Sequence, residues 1–524
     1  MNQSAVSEAM SAPSFYPNSP HHVERIETHI SWVFIAGDDV YKVKKAVNFG
    51  FLDFTTLEKR RFYCEEEVRL NSRLAPEIYL GVTGIGLDQE GRMVLDGGET
   101  PLEYAVHMKK IPSDKMLKKL LPRQDFNSGV MADIAKKLAL FHREAETGGQ
   151  IDETGGIETV RRNHEENFSQ TEPFVGITLS AARHAFIRSF ARRFLEIHAD
   201  LFRKRVLEHR IRDCHGDLHL EHIVISGSDI IIFDCIEFNE RFRYGDVAAE
   251  VSFLAMDLDF NGYAELSERF VEAYVAESGD IEIPFLVHFY KCYYAFVRGK
   301  VTGFRLHEPR INPEERTVVT ENASRYFDLA FSYAARFTKP TLIIMAGLMG
   351  SGKSVVAREL SRMTGASVIR MDVIRKELCN LSPLERKLDD FGQGIYSDKI
   401  TELVYQKSLE QAKGILKTGK SVIIDASFKR KDHRHAAGNL ADELNLGFFV
   451  IECVCPEDCI RKRLTERIKD KNEASDGRTE ILDAQKEDFD AISEFPTSVH
   501  LLLDTSGKLD DCIDRIIAFV HKTD

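Results

Sequence analysis

The run G-L-M-G-S-G-K-S, from Gly347 to Ser354, constrains the fold more than any other stretch of the chain. It follows the apolar segment T-L-I-I-M-A and opens V-V-A-R-E-L, whose apolar residues recur at helical spacing, so the local order is strand, glycine loop, helix. Glycines at 347, 350 and 352 let backbone N–H groups, that of Ser351 among them, turn inward around a phosphate. Lys353 is then placed to reach the β and γ phosphates, and the Ser354 hydroxyl to ligate Mg2+. After Thr341 the pattern continues as strand, helix and strand, the alternation of a parallel α/β sheet.

Two later strand ends supply acceptor chemistry. S-V-I-R-M-D-V-I-R places Asp372 just past a strand, where a carboxylate can take a proton from a substrate hydroxyl. Arg375, three residues on, shares its helix face and is suited to hold substrate or phosphate. S-V-I-I-D-A-S-F ends in Asp425, suited to the Mg2+ shell. R-K-R-L-T-E-R offers Arg463 and Arg467 at i, i+4, the spacing of a lid that clamps a transferring phosphate; singly, each arginine reads equally well as part of a solvated basic helix. Together these motifs resemble the small P-loop kinases that include gluconate kinase, zeta toxin and phage polynucleotide kinase, over nearly all of residues 340–524. N-E-A-S-D-G-R and Gln485 are similar to a branch of predicted kinases in that group. The resemblance implies phosphoryl transfer from ATP and leaves the acceptor open.

A second, unrelated pair of motifs lies upstream. C-H-G-D-L-H-L-E-H-I carries Asp217, and I-I-I-F-D-C-I-E-F-N carries Asp234 seventeen residues later on an apolar strand. An aspartate in the first position can orient and deprotonate a hydroxyl, and one in the second can hold Mg2+. With R-Y-G-D-V-A-A-E these runs resemble the aminoglycoside phosphotransferase family, over most of residues 25–335. The resemblance implies a two-lobed, α+β protein-kinase-like fold, with Asp217 catalytic, Asp234 a metal ligand and Asp246 structural, bracing the loop. His219 reads as structural. Where the family has asparagine five residues after the catalytic aspartate, this chain has His222. Imidazole is a poorer partner for Mg2+ than an amide oxygen, so either His222 coordinates differently or one metal position is weak or lost.

Such a fold places an ATP-positioning lysine on a strand, paired with a helix glutamate. Lys42 and Lys44 share one face of V-Y-K-V-K-K by strand alternation; Lys42 is preferred, with Glu67 of C-E-E-E-V-R-L-N as its partner and Glu66 as the alternative. The same residues also read as a solvated acidic helix face. Met108 takes the position of a hinge touching adenine.

The expected organisation is a flexible tail over 1–24, rich in Ser, Pro and Asn, a kinase-like domain over 25–337 and a P-loop domain over 338–524. Nine scattered cysteines and the lack of a signal pattern or a membrane-length apolar run point to a cytoplasmic protein. A net charge of −13 argues against a nucleic-acid partner. The expected activity is ATP- and Mg2+-dependent phosphoryl transfer to hydroxyls of small molecules at two sites. The alternatives are a nucleotide-sensing regulatory ATPase with a degenerate first module, and a polynucleotide 5′-hydroxyl kinase in the second. Neither acceptor nor oligomeric state is legible.

Overall fold

Residues 3–98, 100–308, 311–337, 339–382, 385, 392–467 and 478–522 are described by the computed structural model. They divide into two compact units, Met1–Leu179 with Arg188–Ala330, and Ser180–Ile187 with Phe331–Asp524.

The first unit begins with an antiparallel sheet of β1 (Val23–Glu27), β2 (Ser31–Ala36), β3 (Asp39–Lys44), β4 (Tyr79–Leu87), β5 (Met93–Leu95) and β6 (Glu103–Lys109), in the order β1-β2-β3-β6-β4-β5. β2 and β3 form a hairpin, turning at Gly37 with φ +72°, and pair Val33 with Lys42. Helix Leu57–Asn71 packs on β4 and β6; its cap is Thr56, whose hydroxyl accepts from the Lys59 N–H. A flexible tail over 1–24 is not what forms. Val6 and Met10 lie one turn apart on helix Gln3–Met10 and, with Phe15 and Tyr16, are buried against Phe34, Val43 and Ala105. Four apolar side chains outweigh the polar composition around them.

The second lobe of this unit is helical. Leu138, Leu254, Phe270 and Leu286, from four different helices, meet in one apolar core. Helices Ala181–Ile197 and Ala199–Leu207 are separated at His198. Two short ribbons bracket the residues between 214 and 222: β7 (Ile211–Asp213) pairs with β10 (Tyr244–Asp246), and β8 (Ile223–Ser226) with β9 (Asp229–Ile232). The two-lobed, α+β kinase-like plan is present.

The second unit is a parallel sheet of β11 (Thr341–Ala346), β12 (Ser367–Arg370), β13 (Val422–Asp425), β14 (Gly447–Val454) and β15 (His500–Asp504), ordered β12-β13-β11-β14-β15. Every residue of β11 and β13 is buried, as a parallel strand covered on both faces requires. The chain leaves β11 for β12, returns to β13, then crosses to β14. Such a switch opens a crevice at the carboxyl ends of β11 and β13. Among the described residues, no helix is long and apolar enough to cross a membrane.

Candidate active sites

Strand alternation turns Lys42 and Lys44 to the same side of β3, and Glu67, fully buried, receives both. Lys42 Nζ is 2.8 Å from Glu67 Oε1 and Lys44 Nζ 2.6 Å from Glu67 Oε2. The choice between the two lysines dissolves because one carboxylate has two oxygens. Lys42 also reaches Asp234 Oδ1 at 3.0 Å, while Lys44 pairs with Glu237. Lys42 is therefore the one directed at Asp234, and Lys44 is a buried brace. Burial alone would lower both ammonium groups, but the surrounding carboxylates outweigh it and hold both above the usual lysine value. Burial raises the Glu237 carboxyl in turn.

Asp234 sits at the end of the β9 strand segment with φ +63°, a conformation that an L-residue keeps only when its surroundings impose it. Those surroundings are explicit: the Asp234 N–H donates to the Tyr79 hydroxyl at 3.2 Å, and the Cys235 N–H to Asn71 Oδ1 at 2.8 Å. Asn71 Nδ2 donates to the Glu67 carbonyl at 2.8 Å. Helix Leu57–Asn71 and Asp234 are thus fixed to each other.

The loop carrying Asp217 hangs on Glu250. One oxygen of this buried carboxylate accepts the N–H groups of His215 and Gly216, both at 2.7 Å, and the other lies 2.6 Å from His142 Nε2. Asp246, expected to brace the loop, instead caps helix Val247–Phe260 through the Ala248 N–H and binds Arg205 with both oxygens at 2.6 and 2.7 Å. Asp217 is half-buried, with His219 Nε2 3.6 Å and His222 Nδ1 3.7 Å from its Oδ2. Burial favours its neutral form, yet His219, His222 and Arg298 together keep its pKa well below the usual range. Met108 ends β6 beside Val40 and Tyr79.

In the second unit the loop after β11 has the shape of a phosphate cradle. Gly347 has φ +126°, and a Cβ there would lie 2.3 Å from the Cys453 carbonyl oxygen, so only glycine fits. Gly350 packs against Ile460 and Leu464, and Gly352, with φ +92°, abuts Arg463 and Thr505. Lys353 Nζ donates to the carbonyls of Gly347 and Leu348 at 3.0 and 2.7 Å, and the buried Ser351 hydroxyl has no hydrogen-bond partner among the described residues. Asp425 ends β13 within hydrogen-bonding reach of Ser354 and beside Asp372. Burial raises its pKa, and Ser354 and Lys353 oppose the shift.

Other expected residues are placed differently. Arg375 is buried, donates through Nη1 to the Ile395 carbonyl and Thr401, and lies over the Tyr396 ring. Its helix face points inward, so it secures the start of helix Asp398–Leu416 rather than reaching a substrate. Arg463 donates through Nη2 to the Thr505 carbonyl at 2.6 Å, next to the cradle. Arg467 ends helix Glu457–Arg467, and its side chain, like residues 472–477 of N-E-A-S-D-G-R, lies outside the described residues. Gln485 accepts the Met349 N–H at 2.8 Å and so supports the cradle directly.

The donors at the two metal ends differ. Ser354 and Asp425 offer oxygen alone and fit Mg2+. In the first unit Asp234 faces His222 Nε2 at 3.5 Å, a mixed set that does not match the preference of Mg2+ for oxygen.

The Phosphotransferase enzyme family matches residues 122–284 and an AAA domain family matches 342–492. Among solved structures, the GDP complex of aminoglycoside 2′-phosphotransferase-IIIa is 15% identical, with TM-score 0.38, covering 62% of this chain and 99% of its own. A gluconokinase from Sinorhizobium meliloti 1021 is 18% identical, with TM-score 0.25, covering 36% and 94%. Fold and sites together define a kinase-class protein in which a phosphotransferase-family part precedes a P-loop part. An uncharacterized protein of Mycobacterium tuberculosis (strain ATCC 25618 / H37Rv) is 30% identical over 464 residues, 88% of this chain and 90% of the relative. The chain belongs to the same family, that of aminoglycoside phosphotransferase-like, P-loop ATP-binding proteins.

Proposed function

We propose that the chain transfers the γ-phosphoryl group of ATP to hydroxyls of small molecules at two separate sites. The observation that carries this is the convergence of Lys42, Glu67, Asp217 and Asp234 in one unit beside a complete cradle, Lys353, Asp372 and Asp425 in the other. At each site the bond from the γ phosphorus to ADP oxygen breaks, a bond to the acceptor oxygen forms, and the acceptor proton passes to Asp217 or Asp372. Asp217 is held as a carboxylate, so it aligns the hydroxyl throughout and takes the proton only as the new bond forms, in keeping with a loose transition state. Lys42 and Lys353 hold phosphate charge. At the second site Ser354 and Asp425 would hold Mg2+, which neutralises charge on the phosphates.

Beside Asp217 the charges are mixed: Arg298 acts on it, and Glu221 pairs with Lys118 at 2.7 Å. A mixed surface favours sugar-like polyols over polycations. The test is phosphate transfer from labelled ATP to a panel of sugars, aminoglycosides and nucleosides, with a 5′-hydroxyl oligonucleotide alongside. Asp217→Asn and Asp372→Asn should each abolish one transfer while retaining ATP affinity. ATP binding at both sites with no transfer to any acceptor overturns the proposal. ATP hydrolysis surviving Asp372→Asn favours a regulatory ATPase, the reading that the unusual His222 supports.

A further inference from the structure

Three features of the first unit determine which nitrogen of His222 is available. Its Nδ1 lies 2.8 Å from the backbone oxygen of Asp217, an atom that can only accept, so Nδ1 carries the ring proton and the Nε2 lone pair is exposed in the neutral ring. That lone pair lies 3.5 Å from Asp234 Oδ2, and Asp234 Oδ1 is the oxygen engaged by Lys42. The ring is held in place by His219, 3.9 Å away between centroids, and by Phe233 at 5.6 Å.

His219 has the opposite assignment. Its Nδ1 accepts the Glu221 N–H at 3.3 Å, so in the neutral ring Nε2 carries the proton and faces Asp217 Oδ2. His219 therefore positions Asp217, although Asp217, His219 and His222 together have the proximity of a metal cluster. The ligand pair this leaves is one imidazole nitrogen and one carboxylate oxygen. Metal–ligand bonds of about 2.1 Å separate two donors by about 3.4 Å in a tetrahedral shell and about 3.0 Å in an octahedral one. The observed separation needs little or no movement to close on an ion.

We propose that the first site binds a first-row divalent transition ion through His222 Nε2 and the Asp234 carboxylate, whereas the second binds Mg2+ through oxygen alone. The proposal rests on reading the first site as a nucleotide site. Divalent transition ions accept imidazole nitrogen readily, while Mg2+ holds to oxygen and water. Protein-ligated nitrogen at His222 thus separates the metal demands of two sites that share one chain.

The test uses MnCl2 and ADP with the full chain carrying Lys353→Ala, which disables the second cradle. Electron spin echo spectra of bound Mn2+ should show a nitrogen modulation that converts to the 15N pattern when the protein is labelled with 15N-histidine. The modulation should vanish on adding His222→Asn and persist on adding His219→Asn. Displacing Mn2+ from the parent should require about tenfold more Mg2+ than displacing it from the His222→Asn variant. Bound Mn2+ and ADP without nitrogen coupling, or coupling that survives His222→Asn, overturns this inference alone. A Lys353→Ala chain that binds neither Mn2+ nor ADP overturns it together with the kinase reading of the first site.

Discussion

Glu250 holds the loop that carries Asp217 in the first unit. Its carboxylate is buried, and burial would raise its pKa, but His142, His215 and the Gly216 N–H keep it lowered and charged. Glu250→Ala would leave the N–H groups of His215 and Gly216 buried and unpaired, at about 1–3 kcal/mol each. The expected loss is about 2–6 kcal/mol. Trp32, the single tryptophan, lies in β2 of this unit, so its fluorescence should report an earlier urea transition. A transition unchanged from the parent would show that Glu250 does not hold the loop. Asp217 and Asp234 are legible because their chemistry is written in contiguous runs. Glu250, Glu237 and Asn71 are not, because each acts on backbone or charge that only tertiary folding brings near. Arg375 misleads for a related reason: helix spacing gives its face, but the Ile395 carbonyl and Thr401 decide what that face meets.

At the scale of elements, local patterns place the strands and helices well. β11 between Leu342 and Ala346 and β13 up to Asp425 are continuous apolar runs, the signature of a buried parallel strand. The first sixteen residues show where composition fails. Small and polar residues, Ser and Ala above all, dominate the average, while Val6, Met10, Phe15 and Tyr16 fix the outcome. Gln3 adds a tie that no pattern announces: its amide donates to the Lys44 carbonyl at 3.0 Å and to Glu103 at 2.6 Å, and its oxygen accepts the Ala46 N–H at 2.8 Å. The segment therefore clamps the end of the strand that carries Lys42 and Lys44. Burying each of the four apolar side chains contributes about 1.5–3 kcal/mol at most. Deleting residues 3–16 should lower the melting temperature, shift Trp32 emission to the red and weaken ATP binding by the first unit. A deletion variant with parental melting and emission would mean that the helix does not dock.

The whole chain carries two parts that match different family models and differ in design. In the first, an antiparallel sheet presents Lys42 and a helical lobe presents the two aspartates. In the second, a glycine cradle after a parallel strand gathers the phosphate-binding groups within a few residues. The second is more legible in sequence because its donors are local, whereas the first spreads its lysine, glutamate and aspartates over nearly two hundred residues. The two designs have different energetic handles, which makes them countable. Removing the Lys42 ammonium leaves Glu67 with Lys44 as its remaining ion-pair partner among the described residues and, on the proposed reading, takes away a phosphate contact in the first unit. Removing the Lys353 ammonium acts on the cradle of the second unit. Calorimetric titration with a nonhydrolysable ATP analogue should therefore give two equivalents per chain, falling to one in Lys42→Ala, one in Lys353→Ala and none in the double variant, because a lost charge-assisted phosphate contact weakens binding well beyond the titrated range. One equivalent in the parent that is abolished by Lys353→Ala would instead leave the first unit a kinase-like fold that does not bind the nucleotide.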